Sequence, residues 1–142
     1  MTTHPARMVH ISIDRDWRQV HAFASEPTNM PHWASGLAGG LKQDGNDWIA
    51  DGGPLGEVRV RFTPKNDLGV IDHTVTLPDG TQVVNALRIS PNGDGAEVSF
   101  TVLQMPGTDD TAFEVDAAHV KKDLETLKAL LDKAAARHPA RC

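Results

Sequence analysis

The feature that most constrains this chain is an apolar stripe near its C-terminus. Phe113, Ala117, Val120, Leu124, Leu127 and Leu131 recur at spacings of four and three, which aligns them along one side of a long α-helix. A start is signalled by Asp109, or by Thr111 with Glu114 three residues on in capping-box spacing. Glu114 and Asp116 near the front and Lys133 and Arg137 near the rear suit the helix dipole, and Pro139 ends the element. A helix with one wide apolar face must lay it on another layer. The preceding residues supply that layer as strands joined by tight turns. Asp44-Gly45-Asn46 separates Leu41–Gln43 from Trp48–Ala50, and Asn66-Asp67-Leu68-Gly69 separates Val58–Thr63 from Val70–Leu77. Asp79-Gly80 leads into Thr81–Ser90, and Asn92-Gly93-Asp94-Gly95 leads into Ala96–Gln104. Each linker carries residues that tolerate positive φ, as hairpins require, and short linkers force antiparallel neighbours.

The front of the chain differs. Met8–Ile13 alternates and is rich in β-branched residues, which predicts a first strand. Asp14 or Asp16 then caps a short helix in which Trp17, Val20, His21 and Ala24 share a face, ending before Pro27. A second helical turn from Pro27 or Thr28 through Trp33, closed by Gly36, is kept short or broken by Pro31. The 142 residues suit one hydrophobic core, so residues 1–142 read as a single α+β domain with short flexible tails.

Composition narrows the function classes. A net charge of −5 argues against binding phosphate backbones, and 5 % aromatic residues with no Tyr removes most stacking platforms, so no nucleic-acid partner is expected. The seven His show no H-E-x-x-H spacing, there is no C-x-x-C, and His119 has no ligand partner four residues on; no metal and no cofactor are expected. Cys142 stands alone, so no intramolecular disulfide forms, and Met1–Met8 hold no apolar signal region. No run reaches the roughly 18–20 apolar residues of a membrane span. These features predict a cytoplasmic protein, monomer or homodimer. Gly52-Gly53-Pro54-Leu55-Gly56 reads as a flexible turn, and Lys121-Lys122 as a solvated helix face.

The chain resembles the START-like superfamily, also called SRPBCC. The resemblance is carried by Trp17-Arg18-Gln19-Val20 through Ala24-Ser25-Glu26-Pro27, by Met30-Pro31-His32-Trp33, by the hairpin series, and by Lys122–Lys128 of the terminal helix. The segment in which a first helix runs into Pro27-x-x-x-Pro31-x-Trp33 is the most specific part. The resemblance implies a helix-grip fold, a curved antiparallel sheet wrapped around the long C-terminal helix, with an apolar cavity between them. It does not imply one chemistry, because such members include lipid carriers, polyketide cyclase/dehydrases, ring-hydroxylase subunits and chaperone co-activators.

The two-residue period of a strand assigns faces. Ile71, His73, Val75 and Leu77 share one face; Val83, Asn85, Leu87 and Ile89 another; Val98, Phe100, Val102 and Gln104 a third; and Val58, Val60 and Phe62 point inward with them. His73, Asn85 and Gln104 therefore interrupt apolar rows. A buried unpaired polar group costs about 1–3 kcal/mol, so each needs a partner. Either His73 and Asn85 satisfy each other across the strands, or they orient a ligand. His73 is also a weak candidate for general acid/base work. Met30 and Trp33 near the expected mouth, with Trp48, Phe100 and Phe113, complete the candidate ligand-binding set, although core packing is the favoured role for Met30, Trp33 and Trp48. Three functions are compatible. The first is binding of a small hydrophobic, aromatic or polyketide-like molecule. The second is a cyclase/dehydrase- or aromatase-type enzyme acting on one, although no inward carboxylate pair, nucleophile elbow or triad is present. The third is an interaction module similar to the chaperone co-activators.

Overall fold

The computed structural model describes residues 2–136; Arg137, Pro139 and Cys142 lie outside the described residues. Strand β1 (Ala6–Ile13) leads into helix α1 (Trp17–Ala24), then two 3-10 turns, Met30–His32 and Ser35–Leu37. Strands β2 (Leu41–Asp44) and β3 (Asp47–Asp51) follow, then a 3-10 turn Gly53–Leu55, then β4 (Glu57–Phe62) and β5 (His73–Thr76). Strands β6 (Gln82–Asn92) and β7 (Gly95–Leu103) precede helix α2 (Asp110–Ala136). Among the described residues no helix is long and apolar enough to cross a membrane.

The strands form one curved seven-stranded antiparallel sheet in the order β1-β7-β6-β5-β4-β3-β2. Five of its six neighbouring pairs are consecutive in the chain, whereas β1 is paired with the last strand, from Ala6 opposite Leu103 to Ile13 opposite Ala96. The chain thus crosses through α1 and the 3-10 turns to reach the far edge, and those segments lie over the inner face on the way. Asp16 is the residue that caps α1, accepting from the Arg18 amide at 2.8 Å. Val20, His21 and Ala24 are its buried residues. Pro31 allows only a three-residue 3-10 turn around it, and Gly36 sits inside the second such turn instead of closing the first.

Asp109 caps α2, its carboxylate accepting from the Ala112 amide at 2.8 Å, so Thr111 is not the cap. The apolar stripe does what its spacing demands: Phe113, Ala117, Leu124, Leu127 and Leu131 are buried and Val120 is partly so. They rest chiefly on β1 and β7. Two lysines then tie the helix to the exposed edge of β1. Lys121 donates to the His10 carbonyl and Lys128 to the Ser12 carbonyl, each at 3.0 Å. Lys121 is therefore an edge-capping residue and not part of a merely solvated face. Charged contacts of this kind also block further strand pairing at a sheet edge.

The segment 70–77 departs from the single strand that its alternation predicts. Val70 still bridges Arg88 and His73 still faces Asn85, in the same register, but the ladder opens between them. There the Leu87 amide donates to Asp72 Oδ1 at 3.0 Å, where the Ile71 carbonyl would otherwise accept. Gly69, with φ of +78°, sits so close to β6 that a Cβ would lie 1.9 Å from the Ile89 carbonyl oxygen. No other residue fits there.

Leu124, fully buried at mid-stripe, is the position at which the two layers meet. Leu124→Ala is expected to cost about 2–5 kcal/mol in chemical denaturation; a loss under about 1 kcal/mol would mean that the stripe is not seated on the sheet.

Candidate functional site

Between the sheet, α2 and the 3-10 turns lies a cavity of about 110 Å³. Its sheet wall is Phe62, His73, Leu87 and Phe100, from four neighbouring strands. Val120, Asp123 and Leu124 of α2 face them, and Met30, Trp33, Ala34 and Leu37 close one side. A larger depression of about 440 Å³ at Gly39–Lys42 and Ile49–Asp51 is an open groove on the β2–β3 edge and has no such apolar enclosure.

His73 is the polar centre of the sheet wall. Because Asp72 takes the Leu87 amide, the Ile71 carbonyl is free to accept from His73 Nδ1, at 2.9 Å. A carbonyl only accepts, so Nδ1 carries the proton and Nε2 of the neutral ring presents a lone pair. Asn85, directly opposite, donates its amide to that Nε2 at 3.4 Å, a long bond. The ring is flanked by Phe62, with centroids 5.6 Å apart, and by Phe100, at 6.2 Å in an edge-on arrangement. Burial holds the His73 pKa below its ordinary 6.5, against the opposing effects of the Ile71 carbonyl and the Asp72 charge.

The other expected site residues are distributed around this centre. Phe100, Met30 and Trp33 line the cavity; Asn85 stands behind His73 as its partner. Gln104 is directed elsewhere, donating to the Thr108 carbonyl at 2.9 Å and the Asp110 carboxylate at 3.0 Å, where it braces the β7–α2 connection. Phe113 is buried under the Arg7 guanidinium, 5.6 Å from its ring centroid, outside the cavity wall. Trp48 lies half-buried opposite Val60 on β3, also outside it. Phe62 and Leu87 were legible from their inward rows. Val120, Leu124 and Asp123 carry a weaker signal, the α2 periodicity. Ala34 and Leu37 carry none, because the turns that hold them are aperiodic.

A cleft of about 190 Å³ adjoins the cavity from outside and shares Trp33 and Asp123 with it. His32, His119 and Lys122 line this cleft, and the Ser35 amide donates to Asp123 Oδ1 at 3.2 Å across it. Trp33 and Asp123 thus form the partition between cavity and solvent. Trp33 is 6 % exposed, and its Nε1 has no acceptor. Among the described residues no group of three or more His, Cys, Asp or Glu side chains is placed to hold a metal.

No family model and no curated protein matches the sequence. Solved structures do match the fold. DynU16, described as a protein of the dynemicin biosynthetic locus, superposes with a TM-score of 0.71 at 12 % identity over 91 % of this chain, which spans 48 % of the length of DynU16. Protein MLL2253 from Mesorhizobium loti matches with a TM-score of 0.71 at 13 % identity, over 91 % of this chain and 98 % of its own. CalU16 from Micromonospora echinospora matches at 0.64 and 12 % identity, over 89 % and 73 %. At these identities the shared property is the fold, a curved antiparallel sheet with a long C-terminal helix.

The His73 environment has a pH signature. Its folded pKa lies below the unfolded value, so the unfolded chain binds the extra proton and stability falls as the pH drops below about 6.5. The carboxylates held low by Arg61, Thr81, Ser12 and Arg7, namely Asp47, Asp79, Glu97 and Glu114, act in a lower window, below about 4.5. The thermal midpoint of the wild type is expected to fall between about pH 7.5 and pH 5, and His73→Gln is expected to flatten that fall; parallel profiles would show that His73 is not held neutral.

Proposed function

We propose that this protein is a START-like (SRPBCC) protein that binds a small hydrophobic molecule in the cavity between the sheet and α2. The observation that carries the reading is an enclosed apolar cavity whose wall holds one satisfied, neutral imidazole and one unsatisfied indole N–H. Few polar groups in an apolar enclosure is the usual composition of a small-molecule site. At about 110 Å³ the space is below the roughly 300–1,000 Å³ of pockets for drug-sized ligands, which favours a small occupant. The likeness to DynU16, a protein of a biosynthetic locus, agrees with an aromatic or polyketide-like chemistry for the ligand.

A second reading, an enzyme of the cyclase/dehydrase or aromatase kind, is favoured by one observation. His73 lines the cavity as a neutral imidazole whose Nδ1 is fixed by Ile71 and whose Nε2 is held only by the long contact from Asn85. Among the described residues no second acid or base is hydrogen-bonded to it, which keeps binding ahead of catalysis. For the interaction-module reading, the exposed large apolar residues among those described, Met8, Leu68, Val84 and Val115, lie on four separate segments.

Ala34 lines the cavity from the partly buried turn region, so Ala34→Leu should fill the space without stripping the core. Ligand-observed NMR with toluene is expected to report binding to the wild type and at least tenfold weaker binding to the variant, with the thermal midpoint nearly kept. Absence of binding to the wild type, or equal binding to both, would overturn the reading.

A further inference from the structure

We propose that the ligand is a single-ring, uncharged molecule whose carbonyl oxygen accepts the indole N–H of Trp33. This rests on the cavity-binding reading above and specifies its chemistry. Three observations converge on it.

The first is size. A cavity of about 110 Å³ is comparable with, and somewhat smaller than, the roughly 150 Å³ apolar cavity known to hold benzene, so one ring fills it. Phe62, Phe100 and the His73 ring present edges and faces suited to a flat occupant.

The second is the hydrogen-bond inventory of the wall. Trp33 Nε1 can only donate, it is shut off from solvent, and it has no acceptor. His73 contributes nothing on the donor side, because its proton is committed to the Ile71 carbonyl and its Nε2 already faces the Asn85 amide. Among the described residues that line the cavity, the one buried side-chain polar atom without a partner is this donor, so the demand left open is for an acceptor, which a pure hydrocarbon would not meet.

The third is charge. Among the described residues Asp123 is the one carboxylate on the cavity wall, and its Oδ1 accepts the Ser35 amide. Among the described residues no Lys or Arg lines the cavity, and Lys122 belongs to the outer cleft. An anionic ligand end would meet a carboxylate and no cation, while a cationic end would leave the indole donor unmet. A neutral carbonyl oxygen fits both constraints.

The test uses two probes of nearly the same shape, cyclopentanone and methylcyclopentane, on the wild type and on Trp33→Phe. The substitution keeps a ring and removes the donor. The ratio of ketone to hydrocarbon affinity is expected to fall about tenfold in the variant, the worth of one hydrogen bond. Independently of that variant, one of the three indole N–H resonances of the wild type, that of Trp33, should move downfield with the ketone and not with the hydrocarbon. If both probes bind but the ratio and the resonance do not change, the assignment to Trp33 is wrong and the cavity reading stands. If neither probe binds the wild type, the cavity reading itself fails, and this inference with it.

Discussion

Everything else in the structure depends on the seating of α2 on the β1–β7 ladder. The two strands come from opposite ends of the chain, roughly ninety positions apart from Ala6 to Ala96, and their pairing carries a large loop-closure cost. That cost is offset where the buried stripe of α2 covers the ladder, with Leu124 and Leu127 fully enclosed. The Lys121 and Lys128 contacts to β1 carbonyls set the helix along the edge strand, so that it packs on β1 and β7 and faces the strands beyond them across a gap. That gap is the cavity. Residues of the chain that must travel from β1 to the far edge supply its remaining wall.

A local break does the finer positioning. In an uninterrupted β5, the Ile71 carbonyl would accept the Leu87 amide of β6 and would share its lone pairs with the imidazole. Asp72 substitutes its carboxylate for that carbonyl and further pairs with Arg88 at 2.9 Å on the outer face. One side chain thus keeps the β6 amide satisfied and releases a buried acceptor on the inner face, which is what sets the tautomer of His73. Gly69 makes the break sterically feasible by letting the chain pass close to Ile89. The same arrangement accounts for the direction of the His73 pKa: a ring packed between Phe62 and Phe100 loses more by desolvation than nearby dipoles and charge return.

The partition formed by Trp33 and Asp123 links architecture to function. It is held by a 3-10 turn, an element with few internal hydrogen bonds, and by a single amide-to-carboxylate contact from Ser35 to α2. A wall built this way is weaker than the sheet or the helix it bridges, and it is the part of the enclosure nearest solvent through the outer cleft. Local opening draws on such low-stability segments first.

The amino-acid sequence by itself determined the elements and their faces. The Phe113–Leu131 stripe, the Gly-bearing turns and the inward rows through Phe62, His73, Leu87 and Phe100 follow from periods of 3.6 and 2, which are properties of the backbone and survive any tertiary arrangement. The Asp16 and Asp109 caps were equally local, although the choice between Asp109 and Thr111 needed the structure. What only the tertiary structure decided were the meetings between distant segments: β1 beside β7, Lys121 on the β1 edge, Gln104 turned toward the α2 start, Phe113 covered by Arg7, and Trp48 left off the cavity wall. Ala34 and Leu37 entered the wall with no periodic signal, and Asp72 left the ladder although its alternation predicts a place in it. Periodicity specifies on which side of an element a residue stands, but a neighbour across the core depends on packing and on which buried polar groups must be satisfied, and both are settled only when the whole chain closes.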